Sequence, residues 1–107
     1  MTLLDQLANI GSEVGRASRA RMLGSEGRLA SALERCLELF DLTIGDDRWR
    51  HRRREITRAR EVVCDFLVGD NEHGSTAESL DAYFLPFAVA ARNARRDRAI
   101  GSTEIPR

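Results

Sequence analysis

The stretch LLDQLANIGSEVGRASRARML, residues 3–23, decides the fold. Its apolar residues recur at steps of 4, 3, 4 and 3, which keeps them on one face of an α-helix. We therefore expect an amphipathic helix whose apolar face lies on a core. The glycines and serine at 24, 25 and 27 interrupt the pattern, and such residues favour a turn. The positions that form the face are Leu3, Leu7, Ile10, Val14 and Ala17.

The same periodicity predicts three more helices. The second begins near Ser25 and ends around Ile44 and Gly45, a residue that favours helix termination. The third covers about 48–68, and Asp46 or Asp47 can accept hydrogen bonds from its free amides. Their apolar faces are formed by Leu29, Leu33, Cys36, Leu37 and Phe40, and by Trp49, Ile56, Ala59, Val63 and Phe66.

The fourth helix follows a polar segment, 69–74. Ser75 with Glu78 three residues later has the pattern of a capping box that opens a helix. Pro86 lies inside this helix, where it removes an amide donor and clashes with the preceding turn. Because the apolar spacing continues through Pro86, we predict one helix kinked there; a break, with Pro86 at the first position of a new helix, is the alternative.

The fold class is therefore all-α. The chain has no β-hairpin signal and its connections are short, so consecutive helices are expected to be antiparallel neighbours. We predict an up-down-up-down four-helix bundle over residues 1–99, followed by a flexible C-terminal tail over 100–107. Gly11 and Gly15 lie one turn apart, and they allow another helix to approach closely, either within the chain or from a second protomer.

Composition restricts the class of protein. The chain has 107 residues, 42% hydrophobic and 32% charged, which argues against disorder. Its longest uncharged stretch, 82–91, is too short to cross a membrane, so no membrane partner is predicted. Cys36 and Cys64 are widely spaced and no export signal is visible, so we predict reduced thiols and a cytoplasmic location.

The charges are unevenly placed although they sum to zero. All 17 basic residues are arginine, and seven of them fall in 48–60 against one acid. Residues 61–81 contain six acids and no arginine, and residues 92–98 contain four arginines against one acid. In an up-down-up-down bundle the third helix starts where the fourth ends. Eleven arginines, those of 48–60 and 92–98, are thus predicted to share one end of the molecule, which we call the arginine pole.

Clustered arginines are typical of surfaces that bind phosphates. We predict a non-catalytic protein whose arginine pole binds RNA or DNA; the alternative is a protein interaction module that pairs the pole with an acidic partner. A solvated helical face, with local pairs such as Arg52 with Glu55, would explain the charges without a ligand. Trp49 either belongs to the core or stacks on a base. The predicted phosphate-binding residues are Arg48, Arg50, Arg53, Arg54, Arg58, Arg92, Arg95 and Arg96.

The patterns of common catalytic sites are missing from the sequence. Neither histidine follows a glutamate at the spacing of di-iron bundles, and there is no glycine-rich phosphate loop or nucleophile elbow. We therefore predict no enzyme activity, no cofactor and no metal. Asp70, Glu72 and His73 offer metal-binding side chains, or hydrolytic groups, but a polar loop explains them as well.

Four phrases resemble a known type of protein: ANIGSEVGRA (8–17), ALERCLELFDLTI (32–44), REVVCDFLVGDNEHGST (60–76) and YFLPFAVAAR (83–92). Over residues 3–98 the chain resembles small bacterial four-helix-bundle proteins near the superfamily of the 23S rRNA intervening-sequence proteins and the accessory variability determinants of diversity-generating retroelements. The resemblance implies a non-enzymatic, ring-like homo-oligomer, often a pentamer, that engages nucleic acid and a partner protein such as a reverse transcriptase. The neutral charge balance departs from the strongly basic retroelement proteins.

Overall fold

The computed structural model describes the backbone of residues 2–103 and the side chains of residues 2–99, and this part of the chain is entirely helical with turns. Four α-helices are present: α1 Leu3–Met22, α2 Glu26–Ile44, α3 Arg53–Leu67 and α4 Ala77–Thr103. A 3₁₀ helix, Asp47–Arg52, precedes α3.

The arrangement confirms the predicted four-helix bundle. Helix α1 is central and packs along both α2 and α4, whereas α3 packs mainly on α2. Asp5 near the start of α1 binds Arg95 near the end of α4, so these helices are antiparallel. Ion pairs also join α1 to α2, between Glu13 and Arg35, and α2 to α3, between Asp41 and Arg60.

The core follows the predicted apolar faces. All five face residues of α1 are buried, and Cys36, Phe40 and Val63 from α2 and α3 are completely enclosed with them. Thr43 is also buried, and its hydroxyl donates to the Leu39 carbonyl at 2.8 Å. This bond satisfies a polar group that water cannot reach.

Gly11 marks the closest approach of α1 to α4. A Cβ built on Gly11 would lie 2.7 Å from Cβ of Phe84 and 3.0 Å from its Cγ. The two backbones therefore meet at a distance that only glycine allows. The helix that approaches Gly11 closely therefore belongs to the same chain. Gly15 is also buried. A Cβ built on Gly15 would lie nearest to the Arg19 guanidinium, at 3.4 Å.

The third helix differs from the prediction in its first five residues, 48–52. Asp46 accepts a hydrogen bond from the backbone N–H of Arg48 at 3.0 Å, which starts a tight 3₁₀ turn. Trp49 then adopts φ −110° and ψ 17°, outside the helical region, and regular α-helix begins only at Arg53. In this conformation the Trp49 indole N–H donates to Oε1 of Gln6 at 2.7 Å, which ties the segment to α1.

The cap of α4 also differs from the prediction. Thr76 and Ser79 form the reciprocal pair: each side-chain oxygen accepts the other's backbone N–H at 2.9 Å. Glu78 lies outside this cap, because the Ser79 hydroxyl takes the role expected of a glutamate. Ser75 instead exchanges two hydrogen bonds with the Asn71 side chain, at 2.8 and 2.9 Å.

Helix α4 runs without a break through Pro86, so the alternative of two separate helices is wrong; the bend at Pro86 stays a prediction. Its backbone reaches Thr103 and thus includes four of the eight residues predicted as a tail, whereas 104–107 lie outside the described residues. Over the described residues, no helix is both long enough and apolar enough to cross a membrane.

Candidate nucleic-acid interface

One residue from each of the pole's two segments contacts the first turn of α1. The Arg95 guanidinium of α4 donates to the Asp5 carboxylate at 2.7 Å. The Trp49 indole, at the start of the other group, donates to the adjacent Gln6. These contacts bring Trp49 and Arg95 to one end of the bundle, whereas Arg58 lies further along α3, beside Ser75 and Ser79 at the start of α4.

Carboxylates pair with five of the eleven arginines of this pole. Arg48 binds Asp46 at 2.6 Å and Arg53 binds Asp47 at 2.9 Å. Asp5, Asp41 and Glu55 hold three further arginines, and Asp97 lies within the second arginine group. With Asp46 and Asp47, six carboxylates thus belong to a region of eleven arginines.

Two of these carboxylates have lowered pKa values. The hydrogen bond from the Arg48 side chain lowers the pKa of Asp46 to about 2. The hydrogen bond from the Thr2 hydroxyl lowers the pKa of Asp5, with a further contribution from Arg95. Both groups are therefore ionised at neutral pH, and a phosphate would have to displace them to bind Arg48 or Arg95.

Four of the eight predicted binding residues remain available. Within the described part of the chain, Arg50, Arg54, Arg58 and Arg92 are exposed and form no ion pair or hydrogen bond. Arg96 makes only a long hydrogen bond, 3.4 Å, to the Asn93 amide oxygen. A phosphate could bind these five side chains without breaking a salt bridge.

Arg54 and Arg58 share a defined surface. They lie one helical turn apart on α3 and, with Arg53, Thr57 and Glu61, line a shallow groove of about 480 Å³. Arg50 precedes them on the 3₁₀ helix, whose tighter winding removes it from the regular four-residue stripe that the sequence suggested. The centre of the free positive charge is therefore Arg54 and Arg58.

Trp49 is a structural residue at this end. Its ring packs against the core, its N–H is bonded to Gln6, and the Arg48 guanidinium lies 4.9 Å from the ring centroid. This confirms the interpretation of Trp49 as part of the core. A ring held in this way does not offer a free face for base stacking.

A second group of arginines lies between α1 and α2. Arg16 and Arg35 hold the Glu13 carboxylate, at 2.7 and 3.3 Å, although only 5% of Glu13 is exposed. Arg19 and Arg28 line the same groove, of about 690 Å³, without an ion pair among the described residues. The sequence pattern did not reveal this group, because its members are scattered singly between residues 16 and 35.

An apolar groove separates α3 from α4. Its volume is about 370 Å³, and Arg58 and Glu55 stand on its edge. Tyr83 is partly exposed beside it and makes edge-to-face contacts with Phe84 and Phe87. The apolar lining comes from Ala59, Val62, Val63, Leu80, Tyr83 and Phe84.

The loop that contains Asp70, Glu72 and His73 is held by hydrogen bonds. Asp65 accepts the backbone N–H groups of Glu72 and His73, at 2.9 and 3.0 Å, and lies 3.0 Å from Nδ1 of His73. These bonds, led by the one from the His73 backbone, lower the pKa of Asp65. Over the described side chains, no group of three metal-binding residues is close enough to hold an ion.

The two thiols are unpaired. Cys36 is completely buried, and burial raises its pKa to about 12, so it stays protonated at neutral pH. Burial also raises the pKa of the partly exposed Cys64. Neither thiol is activated as a nucleophile would be.

Comparisons with models of known protein families, with curated proteins and with solved structures found no match.

Proposed function

We propose that this chain is a non-catalytic helical-bundle protein that binds the phosphates of RNA or DNA through the arginine pole. The observation that carries the proposal is the pair Arg54 and Arg58, which are exposed on one groove and without an ion pair among the described residues. Carboxylates hold five of the eleven arginines of the pole, whereas these two side chains are open.

The local electrostatics favour an anion here. Arg50, Arg53 and Arg54 lie at or just before the start of α3, where the helix dipole is positive and repels cations. A phosphate at this position relieves that repulsion and accepts two-point hydrogen bonds from the guanidinium groups.

The expected mode of binding is independent of base sequence. The described part of the pole offers no free aromatic face, since Trp49 is held by Gln6 and Arg48. Contacts to the sugar-phosphate backbone fix a protein on nucleic acid without reading its bases. We therefore expect similar affinity for duplexes of different sequence and a steep dependence on salt.

A matched pair of variants tests the proposal. R54Q/R58Q removes two free arginines from the pole, and R19Q/R28Q removes two from the groove between α1 and α2. Binding of a fluorescein-labelled duplex DNA and a duplex RNA is measured by fluorescence anisotropy at several salt concentrations. Each lost phosphate contact reduces the slope of log K against log salt by about 0.9 on B-DNA, so R54Q/R58Q should lower it by about 1.8.

The control distinguishes the two basic surfaces. R19Q/R28Q should leave both the affinity and the salt slope close to those of the unmodified chain. A larger loss in R19Q/R28Q than in R54Q/R58Q would contradict the assignment to the pole. Absence of binding at low salt would refute nucleic-acid binding altogether.

A second candidate function is the pairing of the pole with an acidic protein. The apolar groove between α3 and α4 favours it, because Arg58 stands beside a cleft that a partner's hydrophobic side chain can fill. The resemblance to retroelement accessory proteins suggests a reverse transcriptase as one such partner. Affinity purification that recovers a stoichiometric protein after nuclease treatment, and loses it in the variant V62D, would support this function over the first.

A further inference from the structure

We propose that two copies of the chain associate through the outer face of α4, with the two α4 helices antiparallel and related by a two-fold axis. The face consists of six residues spaced 4, 3, 4, 3 and 4 along the chain: Glu78, Ala82, Leu85, Val89, Arg92 and Arg96. This is the spacing by which one helix keeps a stripe against another.

The stripe lies on the side of α4 that the bundle leaves uncovered. Leu80, Phe84 and Ala91 are buried and turn the opposite side of the helix towards the core. Leu85 is 60% exposed and Val89 is 42% exposed, and both lie at the centre of the stripe. Two large apolar side chains one turn apart are therefore open to solvent on a helix that already contributes to the core.

The charges at the two ends of the stripe have opposite sign. Glu78 is at the N-terminal end, and Arg92 and Arg96 are at the C-terminal end. Glu78 and Arg92 form no ion pair among the described residues, and Arg96 contacts only the Asn93 amide. The chain thus leaves unmatched charges at both ends of the exposed apolar centre.

One register satisfies all six positions. When two α4 helices run antiparallel and cross near Phe87, Leu85 of each copy meets Val89 of the other. Ala82 then lies opposite Arg92, whose aliphatic stem can cover it, and Glu78 lies opposite Arg96. A parallel pair would instead place Glu78 against Glu78 and Arg96 against Arg96, which is repulsive. Charge complementarity therefore selects a second copy in the antiparallel orientation.

The proposed contact is self-complementary and closes with two copies. It differs from the ring that the family resemblance implies, because a ring requires two different surfaces on each protomer. The contact is tested separately from nucleic-acid binding, whose test rests on Arg54 and Arg58 of α3, although Arg92 and Arg96 also belong to the arginine pole. R54Q/R58Q should accordingly dimerise as the unmodified chain does, so the two proposals can fail separately.

Sedimentation equilibrium of the full chain, free of nucleic acid and at several protein concentrations, tests the contact. The unmodified chain should give the mass of a dimer that dissociates on dilution. E78R and R96E each place like charges opposite one another at both ends of the stripe. Each should weaken dimerisation by about tenfold or more, since two attractive pairs become repulsive.

The decisive sample is an equimolar mixture of E78R and R96E. The arginine introduced by E78R then faces the glutamate introduced by R96E, and the unmodified Arg96 of the first variant faces the unmodified Glu78 of the second. The mixture should therefore form heterodimers although each variant alone is monomeric. General damage to the fold would not be repaired by mixing. The double variant E78R/R96E should regain the homodimer for the same reason.

Matched controls lie elsewhere on the surface. D70R has the same change in charge as E78R but lies in the loop before α4, and it should not change the mass. L85S should weaken the dimer, whereas L42S, at a leucine that is 68% exposed on α2, should not. A monomer at every concentration, a ring unaffected by E78R, or a mixture that stays monomeric would overturn the proposal.

Discussion

Gly11 to Ala is the substitution whose effect the structure specifies most closely. The added methyl would lie 2.7 Å from Cβ of Phe84, whereas ordinary contacts begin at 3.4 Å, so α1 and α4 must separate locally by about 0.7 Å. Phe84 cannot turn away, because its Cβ is fixed to the α4 backbone. The strain falls on the interface that joins the central helix to α4.

Two effects of opposite sign determine the result. Forcing an extra methyl into a packed interface costs about 1–3 kcal/mol. Replacing glycine by alanine inside a helix stabilises it by about 1 kcal/mol. We therefore expect G11A to lower the free energy of unfolding by about 1 kcal/mol.

Gly27 provides the matched control. It lies in the first turn of α2, and a Cβ built there has no neighbour within 4 Å. G27A should therefore leave stability unchanged or raise it by up to about 1 kcal/mol. The difference between the two variants then reports the packing cost at Gly11, about 1–3 kcal/mol, since the gain in helix propensity is largely common to both.

Urea denaturation followed by circular dichroism at 222 nm measures both variants, at one low protein concentration so that self-association does not contribute. In thermal unfolding, each kcal/mol corresponds to about 4–8 °C for a domain of this size. G11A should melt below the unmodified chain and well below G27A. If G11A proves as stable as G27A, the close approach of α1 to Phe84 is not a feature of the folded protein.

Three further predictions concern individual side chains. The hydrogen bond from Arg48 lowers the pKa of Asp46 to about 2, below the value of about 3.9 in the unfolded chain. The ionised Asp46 therefore stabilises the fold fully above about pH 3.9, and this stabilisation is lost as the pH falls towards 2. Urea titrations at pH 5 and pH 2.5 should thus show a smaller acid loss in D46N, and an equal loss would contradict this role. Glu13 is buried and accepts hydrogen bonds from Arg16 and Arg35, so E13Q should lower the free energy of unfolding by about 1–2 kcal/mol, and unchanged stability would show that the pairs do not contribute. Because Cys36 is completely buried with a pKa of about 12, a thiol reagent at pH 8 should modify Cys64 first and Cys36 only on unfolding; equal rates would place Cys36 at the surface.

The helices could be predicted because their causes are local. The apolar steps in residues 3–23 are regular, and every predicted face residue of α1 is buried. The residues that start α3 and α4 are harder to predict from the sequence, because several neighbouring residues can cap the same helix. Asp46 caps a 3₁₀ turn, and Thr76 rather than Ser75 caps α4.

The composition of the arginine pole could be predicted only in part. Contacts with the first turn of α1 bring Trp49 and Arg95 to the same end, but Arg58 lies beside the start of α4. Neutralisation of the arginines is partly local, since Arg48, Arg52 and Arg53 pair with nearby carboxylates, but Arg95 pairs with Asp5, which is 90 residues away. The sequence indicates the local pair Arg52 with Glu55 but not the distant pairs, so the free side chains emerge only after all pairs are assigned.

The central position of α1 also bears on the order in which the molecule is assembled during synthesis. Helix α1 can form a hairpin with α2 as soon as both have left the ribosome, because their contacts are close in sequence. Its other side must wait for α4, which is made after α2 and α3. Until then the surface around Gly11 remains open to water, and a stall before residue 84 would leave a half-formed bundle that chaperones can recognise.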